Sequence, residues 1–426
     1  MKNEILNIFK ENLVVKISFI FILFFPIILL VGSSVVNLSI VIMNIFFLIH
    51  IFKEKKLKIF NNEISYFLFA LWTFLIINTF LNNNFIENYE RSFGFVRFIL
   101  LVLSFSYFFS YKKFQYKSAI LNMWGIIFII VSLDLIFEFF FGFNTLGFSS
   151  AYDGRLAGFM GDELKIGHWY LCFSLILLSN NFNQNKGVYF FIIFSIIISF
   201  FIGERANFIR LFIGIFAFII ITRRLPLKNY IFFIVPVFVF FLVLNNVKFD
   251  APEGQISGKF DIIKDRYLDE IINQTKHDSF TEFNNSNKYT PMFVNAYTVF
   301  KENKLLGVGL GSYYEKSHEV YRAHRFRTHI KMMPNTHPHQ HHFEILATLG
   351  LPGYIFIFLF LFYFLSKSIR FYFLNKEPIN LSSFLVVFIF CLPLLPTGSF
   401  FTTYGAALFW LSFSLMNLGN FKNINY

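Results

Sequence analysis

Histidines are concentrated in one stretch of the chain, His337–His342, which is followed by Glu344 and an apolar run. Proline suits the first position of a helix, so we expect a helix to begin at Pro338, with His339 in its first turn. Unpaired N–H groups at such an end create positive potential, which favours a neutral imidazole and attracts phosphate. A neutral imidazole can accept a proton, so His339 is a candidate general base.

Arginine side chains offer the complementary cationic chemistry. Arg205 lies at the expected start of an apolar helix, Arg210 lies within that helix, and Arg155 lies in an earlier loop. A planar guanidinium binds phosphate oxygens bidentately, and an arginine inside a membrane is costly enough to be a functional candidate. The alternatives are snorkelling of Arg205 to lipid headgroups, a structural pair of Arg210 with a carboxylate or carbonyl, and simple solvation of Arg155.

The composition indicates a membrane-embedded fold. Of the 426 residues, 56% are hydrophobic and only 15% are charged, which excludes an ordinary soluble domain. The formal net charge of +12 is distributed over loops, so we do not expect a nucleic-acid partner. Cys172 and Cys391 lie in apolar runs and indicate neither a disulfide framework nor a thiolate metal site.

Many apolar segments are long enough to cross a hydrocarbon core of about 30 Å. We therefore predict an all-α polytopic membrane protein with about twelve transmembrane helices and a large, partly helical extracytoplasmic loop before the tenth. The expected spans are Leu13–Gly32, Val35–Phe52, Ile64–Leu81, Gly94–Ser110, Ser118–Phe143, Ile166–Ser179, Gly187–Gly203, Ala206–Thr222, Tyr230–Leu244, Phe343–Leu365, Leu381–Pro396 and Phe400–Leu418.

Basic loops alternate with less basic ones along this series of spans. The basic loops Lys53–Lys58, Tyr111–Lys117, Arg223–Lys228 and Lys367–Lys376 all fall on the same side as the N-terminus. By the positive-inside rule that side is cytoplasmic, so both termini face the cytoplasm and the histidines face outward. We expect three segments: helices one to nine in 1–244, the outer loop in 245–342, and helices ten to twelve in 343–426.

The outer loop is too long and polar for a simple connection. Helical spacing over Phe260–Ile271 and a helix start at Thr290-Pro291 predict a small helical layer, and the asparagine-rich run Asn284–Asn287 predicts a loop. The glycine-rich run Gly307–Gly311 lacks the Gly-Lys-Ser/Thr ending of a phosphate-binding loop, so we interpret it as a structural turn.

A basic segment precedes the histidines and contains Arg322 and Arg325. One interpretation is a solvated basic helix. The other is an electrostatic guide for an anionic lipid or a diphosphate.

The histidine stretch and its surroundings resemble a known superfamily. Thr336–Gln340, followed by Phe343–Leu346 and Leu349–Gly353, is similar to the signature of the O-antigen ligases and O-antigen polymerases. Gln340 stands where Asn is usual, His341 and His342 stand where a hydrophobic residue is usual, and Lys304 stands where Pro is common. The segments that resemble earlier parts of the family pattern are Phe300–Gly311, Arg155–Asp162 and Gly203–Arg205.

The resemblance implies an integral membrane glycosyltransferase that needs no cofactor, nucleotide sugar or metal. Such an enzyme moves a glycan from an undecaprenyl-diphosphate carrier to an acceptor hydroxyl, on lipid A-core or on a growing glycan, at the outer side of the bacterial inner membrane. His339 aligns with the catalytic histidine of the family. We expect Arg155, Arg205 and Arg210 to bind the diphosphate. The expected supporting residues are His337, Gln340, Glu344, Arg322 and Arg325.

Other functions remain to be weighed against the structure. The four histidines and Glu344 could bind zinc, although no separate cluster supplies a further ligand and Pro338 directs its neighbours apart. A lipid-glycan transporter or flippase would use the intramembrane carboxylates Asp134 and Glu138 as coupling groups, although the sequence has no convincing internal repeat. Ligase and polymerase share the donor and differ in the acceptor, so the sequence does not separate them.

Overall fold

The computed structural model describes residues 2–82, 85–152, 154–161, 165–180, 185–222, 262, 267, 277, 279–326, 330–393 and 395–421. The described residues form helices and no strands. The span expected at Tyr230–Leu244 and most of the helix expected at Phe260–Ile271 lie outside these residues.

The α-helices, numbered in chain order, confirm the all-α polytopic fold. They are α1 Lys2–Lys10, α2 Leu13–Val31, α3 Ser33–Lys53, α4 Glu63–Leu81, α5 Phe85–Gly94, α6 Val96–Phe114, α7 Lys117–Phe141, α8 Ile166–Leu178, α9 Asn185–Phe201, α10 Arg205–Thr222, α11 Phe280–Ser286, α12 Thr290–Glu302, α13 Tyr313–His324, α14 His341–Asn375, α15 Pro378–Phe390 and α16 Thr403–Met416. In the described part of the chain, seven helices are long and apolar enough to cross a membrane, and four further apolar helices are shorter.

Local side-chain chemistry sets the ends of the first helices. The Asn12 side chain accepts a hydrogen bond from the N–H of Val15 at 2.9 Å, and the Asn62 side chain accepts one from Ser65 at 3.0 Å. These are N-cap bonds, which satisfy donors that a helix cannot pair internally. Helices α2 and α3 are joined through Gly32 alone, at φ +126°. The two helices therefore form a tight hairpin.

Helix α3 presents an apolar stripe along its whole length. The stripe recurs at helical spacing and consists of exposed Val35, Leu38, Val41, Ile45, Ile49 and Phe52. The opposite face is buried, with Val36, Ile40, Met43 and Phe47 inside. A continuous exposed apolar face of this length is the pattern of a helix in contact with lipid on one side.

The contacts divide the chain into two compact units. The first unit contains Met1–Trp124 and Ser279–Tyr426, and therefore holds the histidine stretch. The second unit contains Gly125–Asp278, and therefore holds Arg155, Arg205 and Arg210.

A small helical layer precedes the histidines in the first unit, as the sequence predicts. Helix α12 begins at Thr290 with Pro291 in its first turn, so the predicted helix start is confirmed. The buried residues that join α12, α13 and the start of α14 are Ala296, Val299, Val308, Tyr313, Val320 and Ala347. A packed layer of helices thus precedes the histidine stretch and contacts the start of α14.

The prediction of a loop over Asn284–Asn287 was wrong, because helix α11 continues through Ser286. Ser279 caps this helix by accepting a hydrogen bond from the N–H of Glu282 at 3.2 Å. Asn284 is fully buried, and its amide donates to the carbonyl of Lys331 at 2.9 Å. This tertiary contact overrides the turn preference of asparagine.

Helix α14 is broken at Gly350, which has φ +68° and ψ −171°. We call His341–Leu349 the half-helix and Gly307–Gly311 the glycine turn. The glycine turn fills the break: Val308 N–H donates to the Ala347 carbonyl at 2.9 Å, and Gly309 N–H donates to the Thr348 carbonyl at 2.8 Å. These bonds satisfy carbonyls that the broken helix cannot pair. The structure agrees with a structural role for the glycine run.

Candidate functional site

His339 lies before the half-helix and not in its first turn. Helix α14 begins at His341, and Gln340 is its N-cap. The side-chain oxygen of Gln340 accepts hydrogen bonds from the N–H groups of His342 at 2.6 Å and Phe343 at 3.2 Å. The predicted helix start at Pro338 was therefore wrong, because the amide of Gln340 caps the helix two residues later.

The backbone of His339 is held in an uncommon conformation. Its φ of +55° lies in the left-handed region, which costs a residue with a Cβ about 1–2 kcal/mol. The N–H of Thr397 donates to the His339 carbonyl at 2.6 Å, and the imidazole also hydrogen-bonds the Thr397 backbone. Because strain of this kind persists only where the surroundings impose it, Thr397 fixes the position of the imidazole.

The surroundings of His339 favour the neutral imidazole. Burial lowers its pKa from the usual value, and the positive charge of Lys288 lowers it further, whereas the hydrogen bond with the Thr397 backbone acts in the opposite direction. The ring edge-packs with Tyr289, at 5.8 Å between centroids, and lies 4.1 Å from the His337 ring. These surroundings keep the imidazole neutral at neutral pH, and the causes are burial and Lys288 and not a helix end.

The two histidines of the half-helix have structural contacts. His342 Nδ1 is 2.9 Å from the Tyr354 hydroxyl, Nε2 is 2.8 Å from the Cys391 carbonyl, and the ring stacks on Phe358. His341 is buried and lies among aromatic rings, those of Phe390, Phe400 and Phe409. Both side chains are thus held by contacts within the protein.

The four histidines do not converge on a common point. His337 Nδ1 is 3.2 Å from the Thr336 hydroxyl, while His342 Nδ1 contacts Tyr354 of α14 and Nε2 contacts the Cys391 carbonyl just after α15. Across the described ranges, no three His, Cys, Asp or Glu side chains are grouped so that they could hold a metal ion. The geometry therefore gives the zinc interpretation no support.

Glu344 is buried in the half-helix and binds the backbone of a distant segment, which we call the 397–402 segment. Its Oε2 accepts a hydrogen bond from the Phe400 N–H at 2.7 Å, and its Oε1 accepts one from the Ser399 hydroxyl. Ser399 Oγ in turn accepts from the N–H groups of Phe401 and Thr402, both at 3.2 Å. The same segment contains Thr397, which hydrogen-bonds His339. Glu344 therefore supports the imidazole indirectly, through this segment. The sequence indicated Glu344 as a supporting residue but could not show that it binds the 397–402 segment.

Arg322 and Arg325 are exposed on and just after α13. The Arg325 guanidinium lies over the Phe326 ring at 4.4 Å, and the neighbouring His324 pairs with Glu302 at 2.9 Å. In the part of the chain that the structure describes, no hydrogen bond or ion pair joins either arginine to the histidine stretch.

In the second unit, Glu204 is the centre of a buried polar network. Its Oε1 forms an ion pair with Arg155 at 2.7 Å, and its Oε2 accepts a hydrogen bond from Asn207. The Asn207 amide nitrogen is 3.1 Å from His168 Nδ1, and its oxygen accepts from Arg210 Nη1 at 3.3 Å. The network thus connects two of the predicted arginines. Sequence reasoning missed Glu204, Asn207 and His168, although Glu204 stands inside the motif quoted for Arg205.

Close backbone approach brings the two arginine motifs of this unit together. Leu156 N–H donates to the Ile202 carbonyl at 3.1 Å. Gly203 has φ +76°, and a Cβ there would lie 2.0 Å from the Gly154 carbonyl oxygen, so only glycine fits. Arg205, at the first position of α10, is half-buried, and Arg210 is completely buried.

Asp134 and Glu138 anchor the loop that follows α7 in the second unit. Asp134 accepts hydrogen bonds from the Thr145 N–H at 2.9 Å and its hydroxyl at 2.6 Å. Glu138 accepts from the N–H groups of Ala157 at 2.9 Å and Gly158 at 2.7 Å. Carboxylates bound to backbone donors in this way support a loop, which weakens their interpretation as coupling groups of a transporter.

Comparison with known proteins adds one match. Residues 190–358 match the family model described as O-antigen ligase. This segment of the chain is similar to the O-antigen ligases. The match covers less than half of the chain and confirms the resemblance seen in the histidine stretch. No curated protein matches the chain.

The matched segment contains most of the predicted site. Its matched residues include Arg205, Arg210 and His339, whereas Arg155 precedes them. Together with this similarity, the apolar helices indicate a multi-pass membrane protein.

Proposed function

We propose that this chain is a membrane glycosyltransferase of the O-antigen ligase type. It transfers a glycan from an undecaprenyl-diphosphate carrier to an acceptor hydroxyl, on lipid A-core or on another glycan, at the outer face of the inner membrane. A repeat-unit polymerase uses the same chemistry with a different acceptor. The observation that carries the proposal is His339, a fixed imidazole with a lowered pKa inside the segment that matches the O-antigen ligase family model.

In the proposed reaction, His339 acts as the general base. The neutral imidazole takes the proton of the acceptor hydroxyl while that oxygen attacks the anomeric carbon of the donor glycan. The bond between this carbon and the diphosphate oxygen breaks, and the diphosphate leaves with the electron pair. The products are the glycosylated acceptor, the carrier diphosphate and a protonated His339, which returns its proton to water.

The departing diphosphate needs positive charge, and we assign that role to Arg205 and Arg210. Guanidinium groups bind phosphate oxygens bidentately and stay charged at low dielectric. The buried carboxylate of Glu204 already neutralises Arg155 at 2.7 Å. We therefore propose that Arg155 mainly orders this network together with Glu204. Its contribution to diphosphate binding is smaller than that of Arg205 and Arg210.

The supporting residues have distinct proposed roles. Gln340 caps the half-helix and fixes the chain next to His339, while Glu344 holds the 397–402 segment. His337 lies against the catalytic ring and is placed to orient it or the acceptor. Exposed Arg322 and Arg325 would attract the anionic donor from a distance. This arrangement requires 245–342 to lie outside the cytoplasm.

The test compares His339→Asn with the wild type in transfer of a labelled, lipid-linked glycan to candidate acceptors by the purified protein. Asparagine tolerates the left-handed backbone that His339 adopts, so the variant removes the base and keeps the conformation. Losing a general base lowers the rate by about 10²–10⁴-fold. The matched control is His318→Asn on α13, where the ring packs against Tyr314.

Full transfer by a well-folded His339→Asn protein would refute the proposed role of this histidine. A transporter would move labelled lipid across vesicles with either variant and would give no glycosylated acceptor with the wild type. Acceptor choice separates the two enzyme types: a product on lipid A-core identifies a ligase, and elongation of a lipid-linked glycan identifies a polymerase.

A further inference from the structure

One arginine of the first unit lies at the start of a long apolar stretch of α6. Arg97 is the second residue of α6, and no charged residue follows it until Lys112. The stretch Tyr89–Lys112, which joins the end of α5 to α6 and contains Arg97, is long and apolar enough to cross a membrane. A charged side chain within such a helix is costly and marks a functional site by default.

A neighbouring helix places the backbone of Arg97 beside the middle of α3. The Asn44 amide donates to the Arg97 carbonyl at 2.8 Å. Asn44 stands eleven residues after Ser33, the first residue of α3 (44 − 33 = 11), which is about 16 Å of helix at 1.5 Å per residue. Because α3 exposes its apolar stripe both before and after this point, Arg97 is level with the middle of a lipid-contacting helix.

The guanidinium of Arg97 has little to compensate its charge. Its Nη1 donates to the Gly94 carbonyl at 2.7 Å, and the group lies over the Phe98 ring at 4.6 Å. Within the described ranges it has no carboxylate partner, and its Nε is buried without a hydrogen-bond acceptor. The side-chain oxygen of Asn44 is also buried without a donor. A half-buried cation in this position is stabilised best by an anionic ligand.

We propose that Arg97 binds the phosphate of a lipid within the first unit. A guanidinium matches phosphate geometry, and the bilayer around a membrane-spanning helix accommodates the hydrocarbon part of the same molecule. The ligand has two sources, the polyprenyl diphosphate donor of the proposed function and a membrane phospholipid. Binding at Arg97 does not require transfer activity, so the site can be tested by itself.

The experiment measures lipid binding to the full-length protein in detergent by native mass spectrometry. The probes are undecaprenyl diphosphate, phosphatidylglycerol and, as an uncharged reference, undecaprenol. Arg97→Met removes the charge but keeps much of the side-chain volume, and Arg97→Lys keeps a cation without the planar fork. The control is Arg91→Met, which removes an arginine that is exposed on α5.

We expect Arg97→Met to weaken binding of a phosphate lipid by about ten- to hundredfold, the range for one lost charge-assisted hydrogen bond. Arg97→Lys should give a smaller loss, and both Arg91→Met and undecaprenol should show no change. A loss confined to undecaprenyl diphosphate identifies the donor as ligand, and a loss for phosphatidylglycerol as well identifies a general lipid-phosphate site. Both results support the proposal.

A purely structural role of Arg97 gives a different outcome. Removing an unpaired buried charge should leave the melting temperature of the empty protein unchanged or higher. A lower melting temperature together with unchanged affinity for both phosphate lipids would overturn the proposal. If the methionine variant does not fold, the affinity of Arg97→Lys for the two phosphate lipids provides the test. The two proposals fail separately, because His339→Asn tests transfer and Arg97→Met tests binding.

Discussion

Replacing Glu344 by glutamine should loosen the 397–402 segment and thereby disturb His339. Glutamine keeps the length of the side chain but presents one oxygen and one NH₂ group where the carboxylate presents two acceptors. The two donors at this place are the Phe400 N–H and the Ser399 hydroxyl. Ser399 Oγ already accepts from two N–H groups, so it is poorly placed to accept a third donor. The variant therefore loses one hydrogen bond to a charged group.

A hydrogen bond of this type contributes about 1.5–3 kcal/mol, which corresponds to a factor of about 10 to 150 in a local opening equilibrium. Hydrogen exchange of the amides in the 397–402 segment should accelerate by that factor when opening is local. The maximal transfer rate should fall, because Thr397 then holds the His339 carbonyl less firmly, while donor affinity should change little.

Hydrogen–deuterium exchange with mass spectrometry, on protein in lipid nanodiscs, measures the first effect, and the transfer assay measures the second. Glu302→Gln is the matched control, because it makes the same chemical change at an exposed carboxylate that pairs with His324. Unchanged exchange over the 397–402 segment in Glu344→Gln would refute the proposed hydrogen bonding. Faster exchange with wild-type transfer would show that the segment does not position His339.

Three further outcomes are expected. The acid side of the pH–rate profile reports protonation of His339; since Lys288 lowers that pKa, Lys288→Gln should move the acid limb to higher pH, and Lys288→Arg should leave it in place. Gly350→Ala should lower the free energy of unfolding by at least about 1–3 kcal/mol, because its backbone lies in a region open essentially only to glycine, and a chemical melt in detergent measures this. In a protein without native cysteines, Lys55→Cys should be protected from an impermeant thiol reagent in intact cells and Asn285→Cys should react; the opposite labelling would contradict the outward orientation of the histidines.

The membrane helices could be predicted from the sequence because their signal is local. A run of apolar residues of sufficient length specifies a span by itself, and the observed starts at Leu13 and Glu63 follow directly after asparagine caps. The start of α12 at Thr290 was equally clear, since proline favours the first turn. In each case the information lies within a few residues of the helix end.

The geometry of the site could not be predicted, because it depends on residues far apart in the chain. His339 takes a left-handed backbone that Thr397 supports, and Glu344 binds Ser399 and Phe400. Neither contact leaves a periodic signal near the histidines. The proline before His339 was a misleading local cue, because the side chain of Gln340 supplied the cap. The importance of Glu204 was hidden for the same reason, since its partner Arg155 belongs to an earlier loop.

The break at Gly350 has a consequence for protein engineering. The carbonyls of Ala347 and Thr348 are satisfied by Val308 and Gly309, and Leu351 N–H donates back to the Lys304 carbonyl at 2.8 Å. The small helical layer before the histidines and the broken helix α14 are therefore not independent modules, although they are separate segments of the chain. A chimera between related proteins should therefore exchange residues 290–311 and residues 339–353 together. Exchanging either alone would leave backbone groups unpaired at the junction.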